Sequence, residues 1–184
     1  MSAIRTLLLG LLNDKKPRHG YEIKQELESW NAEKWANISY GSIYFALKKM
    51  EEENLLKSVD EVRSISNKPD RNLYEITQSG TEQFLMLLRK QWWEMKPIID
   101  PFQVPLTFMN YMSNDELIAA FEYRMDSLKI RIKSLERMVA IRIQDAKPMP
   151  AHIAQNLKLN IAHSKTELEW IEETLKKVKQ GELP

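Results

Sequence analysis

Residues 3–13 place Ile4, Leu7, Leu8 and Leu11 on one side of a helix and Leu9 and Leu12 on the other. A helix apolar nearly all round is buried between two bodies, not laid on one surface, so Leu8 is expected at a contact between two copies of the chain. After the polar turn 13–18, a second helix from about His19 to Trp30 turns Ile23, Leu27 and Trp30 to the core. The interval 31–37 carries no period. From Ser39 a third helix buries Ile43, Leu47 and Met50, spaced i, i+4, i+7, and Asn54 ends it in a left-handed cap. Residues 56–64 and 73–77 read as short strands around the turn formers of 65–72. Thr77, or else Ser79 with Glu82 as a capping box, starts a fourth helix with Phe84, Leu88, Trp92 and Met95 on one stripe.

Pro97, Pro101 and Pro105 then stop helix formation. Ile98, Ile99, Phe102, Val104, Leu106, Phe108, Met109 and Met112 are too apolar for a free linker, so extended chain pressed onto the body is expected here. Ser113 with Glu116 forms a capping box that opens a heptad run of Ile118, Phe121, Met125, Leu128, Ile132, Leu135 and Val139. Pro148 and Pro150 break it. Leu157, Ile161, Ser164, Leu168, Ile171, Leu175 and Val178 repeat the alternation, and Gly181 terminates it. Two helices of about 45 Å must fold back on each other. Ile130, Met138, Ile141 and Trp170 lie off their seam and call for a second copy of the chain.

The expected architecture is mainly α with a small β-hairpin. A winged helix-turn-helix over residues 1–96 is followed by a proline-rich apolar connector, 97–112, and a coiled-coil-like antiparallel helical hairpin, 113–184, that dimerises.

Composition bounds what this fold does. The chain has 184 residues, 43% hydrophobic and 29% charged, ordinary for a globular protein. It has no cysteine, which excludes thiolate chemistry and suits a reducing cytoplasm. No apolar run is long enough to span a membrane. His19, His152 and His163 are scattered without ligand spacing, so no metal is expected. Gly41-Ser42 lacks the flanks of a nucleophile elbow, and no nucleotide-binding pattern exists. Neither catalysis nor a cofactor is expected.

The natural occupant of a winged helix-turn-helix is the DNA major groove. The third helix opens on Ser39, Tyr40 and Ser42, whose short or hydrogen-bonding side chains let backbone amides near an anion. Tyr44 either packs on the second helix or reaches a phosphate. Net charge is only +1, and residues 1–96 hold 15 Lys+Arg against 14 Asp+Glu, so position has to carry the case. Lys48 and Lys49 lie on the helix's exposed face, and Lys68 and Arg71 flank the hairpin tip, within reach of phosphates. Glu51, Glu52 and Glu53 crowd the helix's far end, where cations would suit the dipole better; solubility or another partner is their expected use.

The motifs His19-Gly-Tyr-Glu-Ile23, Gly41-Ser-Ile-Tyr-Phe-Ala-Leu47, Glu51-Glu-Glu-Asn-Leu-Leu56 and Arg71-Asn-Leu-Tyr-Glu-Ile-Thr-Gln-Ser-Gly80 together resemble the PadR family of transcriptional regulators, over roughly residues 3–90. The two-helix tail is similar to that of its larger subgroup. Phe45 stands where many relatives have Pro, and Asn54 where Gly is usual. The resemblance implies a homodimeric repressor that leaves a pseudo-palindromic operator when a small molecule binds. Trp92 and Trp93 diverge by about 100° on their helix; they either pack structurally or sandwich a planar aromatic effector. The rival reading is a winged-helix protein-interaction module without sequence-specific DNA binding.

Overall fold

The computed structural model describes residues 3–59, 72–97, 99–144 and 151–184, with 142–144 as backbone only. Lys68 and Arg71 lie outside the described residues. The chain divides into two compact units, residues 1–97 and 98–184.

In the first unit, α1 (Ala3–Leu12) buries Ile4, Leu8, Leu9 and Leu12. Leu8 is 0% exposed and sits inside the unit's own core, so it offers nothing to a second copy. The intramolecular core uses both sides of this helix, because α4 (Ile43–Glu52) packs on one and α5 (Gln78–Trp93) on another. The short strand β1 (Arg18–His19) leads into α2 (Gly20–Ser29), whose His19 N–H donates to the Glu22 carboxylate at 2.7 Å.

Residues 31–37 fold into a further helix, α3 (Ala32–Ala36), bracketed by left-handed Asn31 and Asn37. Asparagine tolerates that conformation at little cost, so one turn of helix fits where no period announces it. Tyr40–Ser42 form a single 3-10 turn, and α4 (Ile43–Glu52) follows with Ile43, Leu47 and Met50 buried as expected. Asn54 takes a φ of 58°, the left-handed cap. β2 (Leu56–Val59) pairs antiparallel with β3 (Leu73–Ile76), Leu56 opposite Ile76. β1 adds to the other edge of β3, Arg18 opposite Tyr74, so among the described residues the sheet has three strands in the order β1-β3-β2.

Thr77, not Ser79, caps α5: its hydroxyl accepts the Gly80 N–H at 3.0 Å and donates to the Asn54 carbonyl at 2.8 Å. The buried side of α5 runs through Gly80 and Leu87, with Phe84 partly buried on the core. The expected stripe through Trp92 and Met95 does not form, and those side chains are 81% and 99% exposed. Gln91 on the last turn of α5 hydrogen-bonds Thr6 of α1, while Trp92 and Trp93 on the same turn stay exposed.

In the second unit the connector is not extended chain. Gln103–Thr107 form α6 and Met109–Tyr111 a 3-10 turn. Pro105 is tolerated because it falls in the first turn, where no intrahelical N–H is needed. Phe102, Leu106 and Met109 pack on Leu117 and Phe121 of α7 (Asn114–Gln144). The Ser113 hydroxyl donates to Glu116 at 2.7 Å, and the Ser113 N–H does so at 3.1 Å; these bonds hold the Glu116 carboxyl below its ordinary range.

α8 (Ala151–Lys179) runs back along α7 with Ile171, Leu175 and Val178 buried. Glu122 pairs with Lys179, Lys129 with Glu172 and Glu136 with Lys165. Partners advance by seven in one helix and retreat by seven in the other, the flanking-charge ladder of an antiparallel heptad seam. Gly181, at φ 71°, closes α8; the Glu182 N–H reaches the Lys177 carbonyl and the Gly181 N–H that of Val178, a Schellman cap.

Candidate nucleic-acid interface

In the first unit α4 packs on α2 and on β2, which pairs with β3. On α4 the core takes Ile43, Leu47 and Met50, which leaves Phe45, Lys48 and Lys49 outward. Ahead of them the 3-10 turn is open. A side chain on Gly41 would meet only the Ser39 hydroxyl, at 3.6 Å, so a flat ligand can approach the backbone there. Ser39 is exposed, and the Ser42 hydroxyl donates to its carbonyl at 2.7 Å.

Two tyrosines are drawn inward. The Tyr40 hydroxyl donates to the Leu27 carbonyl and accepts the Glu33 N–H, both at 3.3 Å, while its ring packs on the core. That places Tyr40 as a tie between α2, α3 and the 3-10 turn, its polar atom already engaged, and not as an outward contact. Tyr44 lies against the start of α2: a side chain on Gly20 would stand 2.7 Å from its ring. The Tyr44 ring therefore packs on the second helix. Tyr21, 45% exposed, stacks on His19 with ring centroids 5.4 Å apart.

The acidic end of α4 has partners within the unit. Arg5 grips Glu53 with two guanidinium nitrogens, and the Ser58 hydroxyl of β2 bonds Glu51. Hydrogen bonding from Arg5 is the main reason the Glu53 carboxyl sits below its ordinary range. Neither contact is legible in the sequence: Arg5 lies 48 residues from Glu53, and Ser58 meets Glu51 only because the chain turns back between α4 and β2.

Trp92 and Trp93 stand 81% and 90% exposed on the last turn of α5. In the second unit, Ile130 and Ile141 are 71% and 50% exposed and Met138 is half-buried. Tyr123 falls on the same line of α7 as Ile130 and Ile141, at i, i+7 and i+18. Trp170 is partly engaged within its own unit, edge-on to Phe102 and Phe121 at 6.3 Å. Arg124 lies 3.7 Å over the Phe102 ring and pairs with Glu167. A cavity of about 100 Å³ sits among Phe102, Leu106, Met109, Leu117 and Phe121.

Among the described residues no three His, Cys, Asp or Glu side chains converge on a metal-sized site. No helix there is long and apolar enough to cross a membrane.

Three-stranded sheet, helix pair and outward α4 define the first unit as a winged helix-turn-helix. Residues 8–85 match the transcriptional regulator PadR-like family, and the chain carries a domain of that family, whose members are regulators and not enzymes. Among solved structures, a PadR-like transcriptional regulator from Bacillus cereus is 21% identical with a TM-score of 0.74, covering 97% of this chain and 99% of its own. PadR from Bacillus subtilis in complex with operator DNA is 20% identical, with a TM-score of 0.76 over 97% of this chain and 98% of its own. The same Bacillus subtilis protein in complex with p-coumaric acid is 20% identical, TM-score 0.75, covering 96% of each chain. At these identities the likeness shows the fold, including the two long C-terminal helices. No curated protein matches the chain.

Proposed function

We propose that this protein is a cytoplasmic, homodimeric repressor that binds a pseudo-palindromic operator and leaves it when a small aromatic molecule binds. The observation that carries the DNA-binding part is the outward face of α4, with Lys48 and Lys49 exposed behind an open Gly41 turn. The overall lysine and arginine content does not make this protein cationic, so recognition rests on local placement. Ser39 and Ser42 contact DNA from the 3-10 turn and its cap, Lys48 and Lys49 from α4, and Lys68 and Arg71 from the segment between β2 and β3. The solved complex of Bacillus subtilis PadR with operator DNA supports this use of the fold.

Dimerisation uses residues 113–184. The exposed line of Tyr123, Ile130 and Ile141 on α7 is apolar and solvent-facing in a single copy, and a second copy would cover it. The effector part rests on exposed Trp92 and Trp93, adjacent indoles able to take a flat ring between subunits, and on the p-coumaric acid complex of the Bacillus subtilis relative.

Fluorescence anisotropy of a labelled duplex carrying the protein's own upstream region, titrated at several salt concentrations, tests the DNA part. If a dimer neutralises about eight phosphates, log K falls against log salt with a slope of about −7. Binding that ignores salt would favour the rival reading, a winged-helix protein-interaction module.

A further inference from the structure

α4 turns a phenyl ring outward at the middle of its solvent face. At about 100° per residue, Phe45 lies about 200° from Ile43, opposite the buried line of Ile43, Leu47 and Met50. Its side chain is 72% exposed. Lys48 and Lys49, both exposed, flank it at about 60° and about 40° on either side. Phe45, Ser42 and Lys49 also share the wall of one open groove of about 260 Å³.

An isolated apolar side chain on a surface is ordinary. One centred between two lysines, on the helix that faces DNA, supplies a contact that neither lysine can make. The major-groove edge of the bases offers one apolar feature, the thymine 5-methyl group, and phenyl groups read it by direct contact. We propose that Phe45 is a specificity-determining residue that selects thymine, its ring packing on the 5-methyl group while Lys48 and Lys49 reach acceptors on either side. The proposal rests on the DNA-binding reading above and adds to it a base that the helix selects. Exposed Glu52 lies seven residues on, along the same line of α4. Its charge repels phosphate, so the part of α4 that enters the groove is the part that carries Phe45.

The test starts from duplexes selected out of a random pool by the full-length protein. Each thymine is then replaced by deoxyuridine, which keeps every hydrogen-bonding group and removes only the methyl. A thymine should recur at one position, and deoxyuridine there should weaken wild-type binding about fourfold, the value of one buried methyl group. Phe45→Ala should bind more weakly and ignore that replacement, while Phe45→Leu keeps part of the response. Because the ring is exposed, Phe45→Ala should unfold thermally like the wild type, so its weaker binding is not unfolding. A wild type indifferent to every replacement overturns the proposal, as does a Phe45→Ala that remains equally sensitive. Salt-dependent binding without any selected sequence removes thymine selection but leaves DNA binding standing. Failure to bind any duplex removes the DNA-binding reading, and thymine selection with it.

Discussion

Arg5 near the start of α1 and Glu53 at the end of α4 form a two-pronged ion pair, with Nη2 donating to Oε1 at 2.8 Å and Nη1 to Oε2. The C-terminal end of a helix carries partial negative charge, so three consecutive acids there are unfavourable in isolation. The fold meets Glu53 with a guanidinium and Glu51 with the Ser58 hydroxyl. These two ties fasten the far end of α4 to α1 and to β2, and so help set the angle at which α4 projects from the unit.

Replacing Glu53 separates positioning from charge. Removal of an acid near DNA should by field alone tighten binding. If the tie positions α4, Glu53→Gln should instead weaken operator binding, by about fivefold for a coupling of about 1 kcal/mol. Arg5→Lys keeps the charge but not the fork and should weaken it too. Anisotropy titrations at one salt concentration decide it: tighter binding by Glu53→Gln refutes positioning.

The same pair has a pH signature. Glu53's folded value lies below its ordinary 4.5, chiefly through hydrogen bonding from Arg5. Its stabilisation is therefore fully present above the unfolded value and lost as pH falls through the lowered folded one. With the side chains 23% and 36% exposed, the contribution should stay under about 1 kcal/mol. Urea midpoints of wild type and Glu53→Gln should converge as pH drops from about 6 to about 3. A constant gap across that range would show that the carboxylate charge is not what stabilises.

Gly80 and Gly20 should respond differently to alanine. A methyl group on Gly80 would stand 2.1 Å from the Leu55 carbonyl oxygen and 2.8 Å from Ile76. Backbone cannot yield there, so Gly80→Ala should cost about 3 kcal/mol in urea unfolding. On Gly20 the obstacle is the Tyr44 ring at 2.7 Å, which is able to swing aside. Gly20→Ala should cost less stability, yet shift operator affinity, because Tyr44 belongs to α4.

The α7 surface is tested by charge. Ile130→Asp with Ile141→Asp touches side chains exposed in the single chain, so the hairpin should still fold and its helical circular dichroism should persist. Sedimentation should then find dimers for the wild type and monomers for the double variant. A double variant that remains a dimer places the contact elsewhere.

Tryptophan quenching by a panel of phenolic acids tests the effector. Saturable quenching should occur in the wild type, fall in Trp92→Ala or Trp93→Ala, and accompany at least a tenfold loss of operator affinity, which needs only about 1.4 kcal/mol of coupling. Quenching that survives both substitutions moves the site to Trp30, Trp35 or Trp170.

What the sequence determines by itself is what repeats along it. The buried line Ile43, Leu47, Met50, the seam from Phe121 to Ile132, the Ser113–Glu116 cap and the left-handed Asn54 all follow from spacing or from one residue's backbone preference. Tertiary structure decided the rest, because it turns on which distant neighbour arrives. Leu8 is enclosed within its own unit since α4 and α5 both reach α1. Trp92 is 81% exposed although helical period puts it in line with Phe84 and Leu88. β1 exists only because β3 has an open edge for Arg18 and His19. Tyr40 looks outward in a linear reading, but the Leu27 carbonyl, thirteen residues earlier, holds its hydroxyl inside. Phe45 shows both sources at once: helical period places it opposite the core, and the folded unit leaves it uncovered.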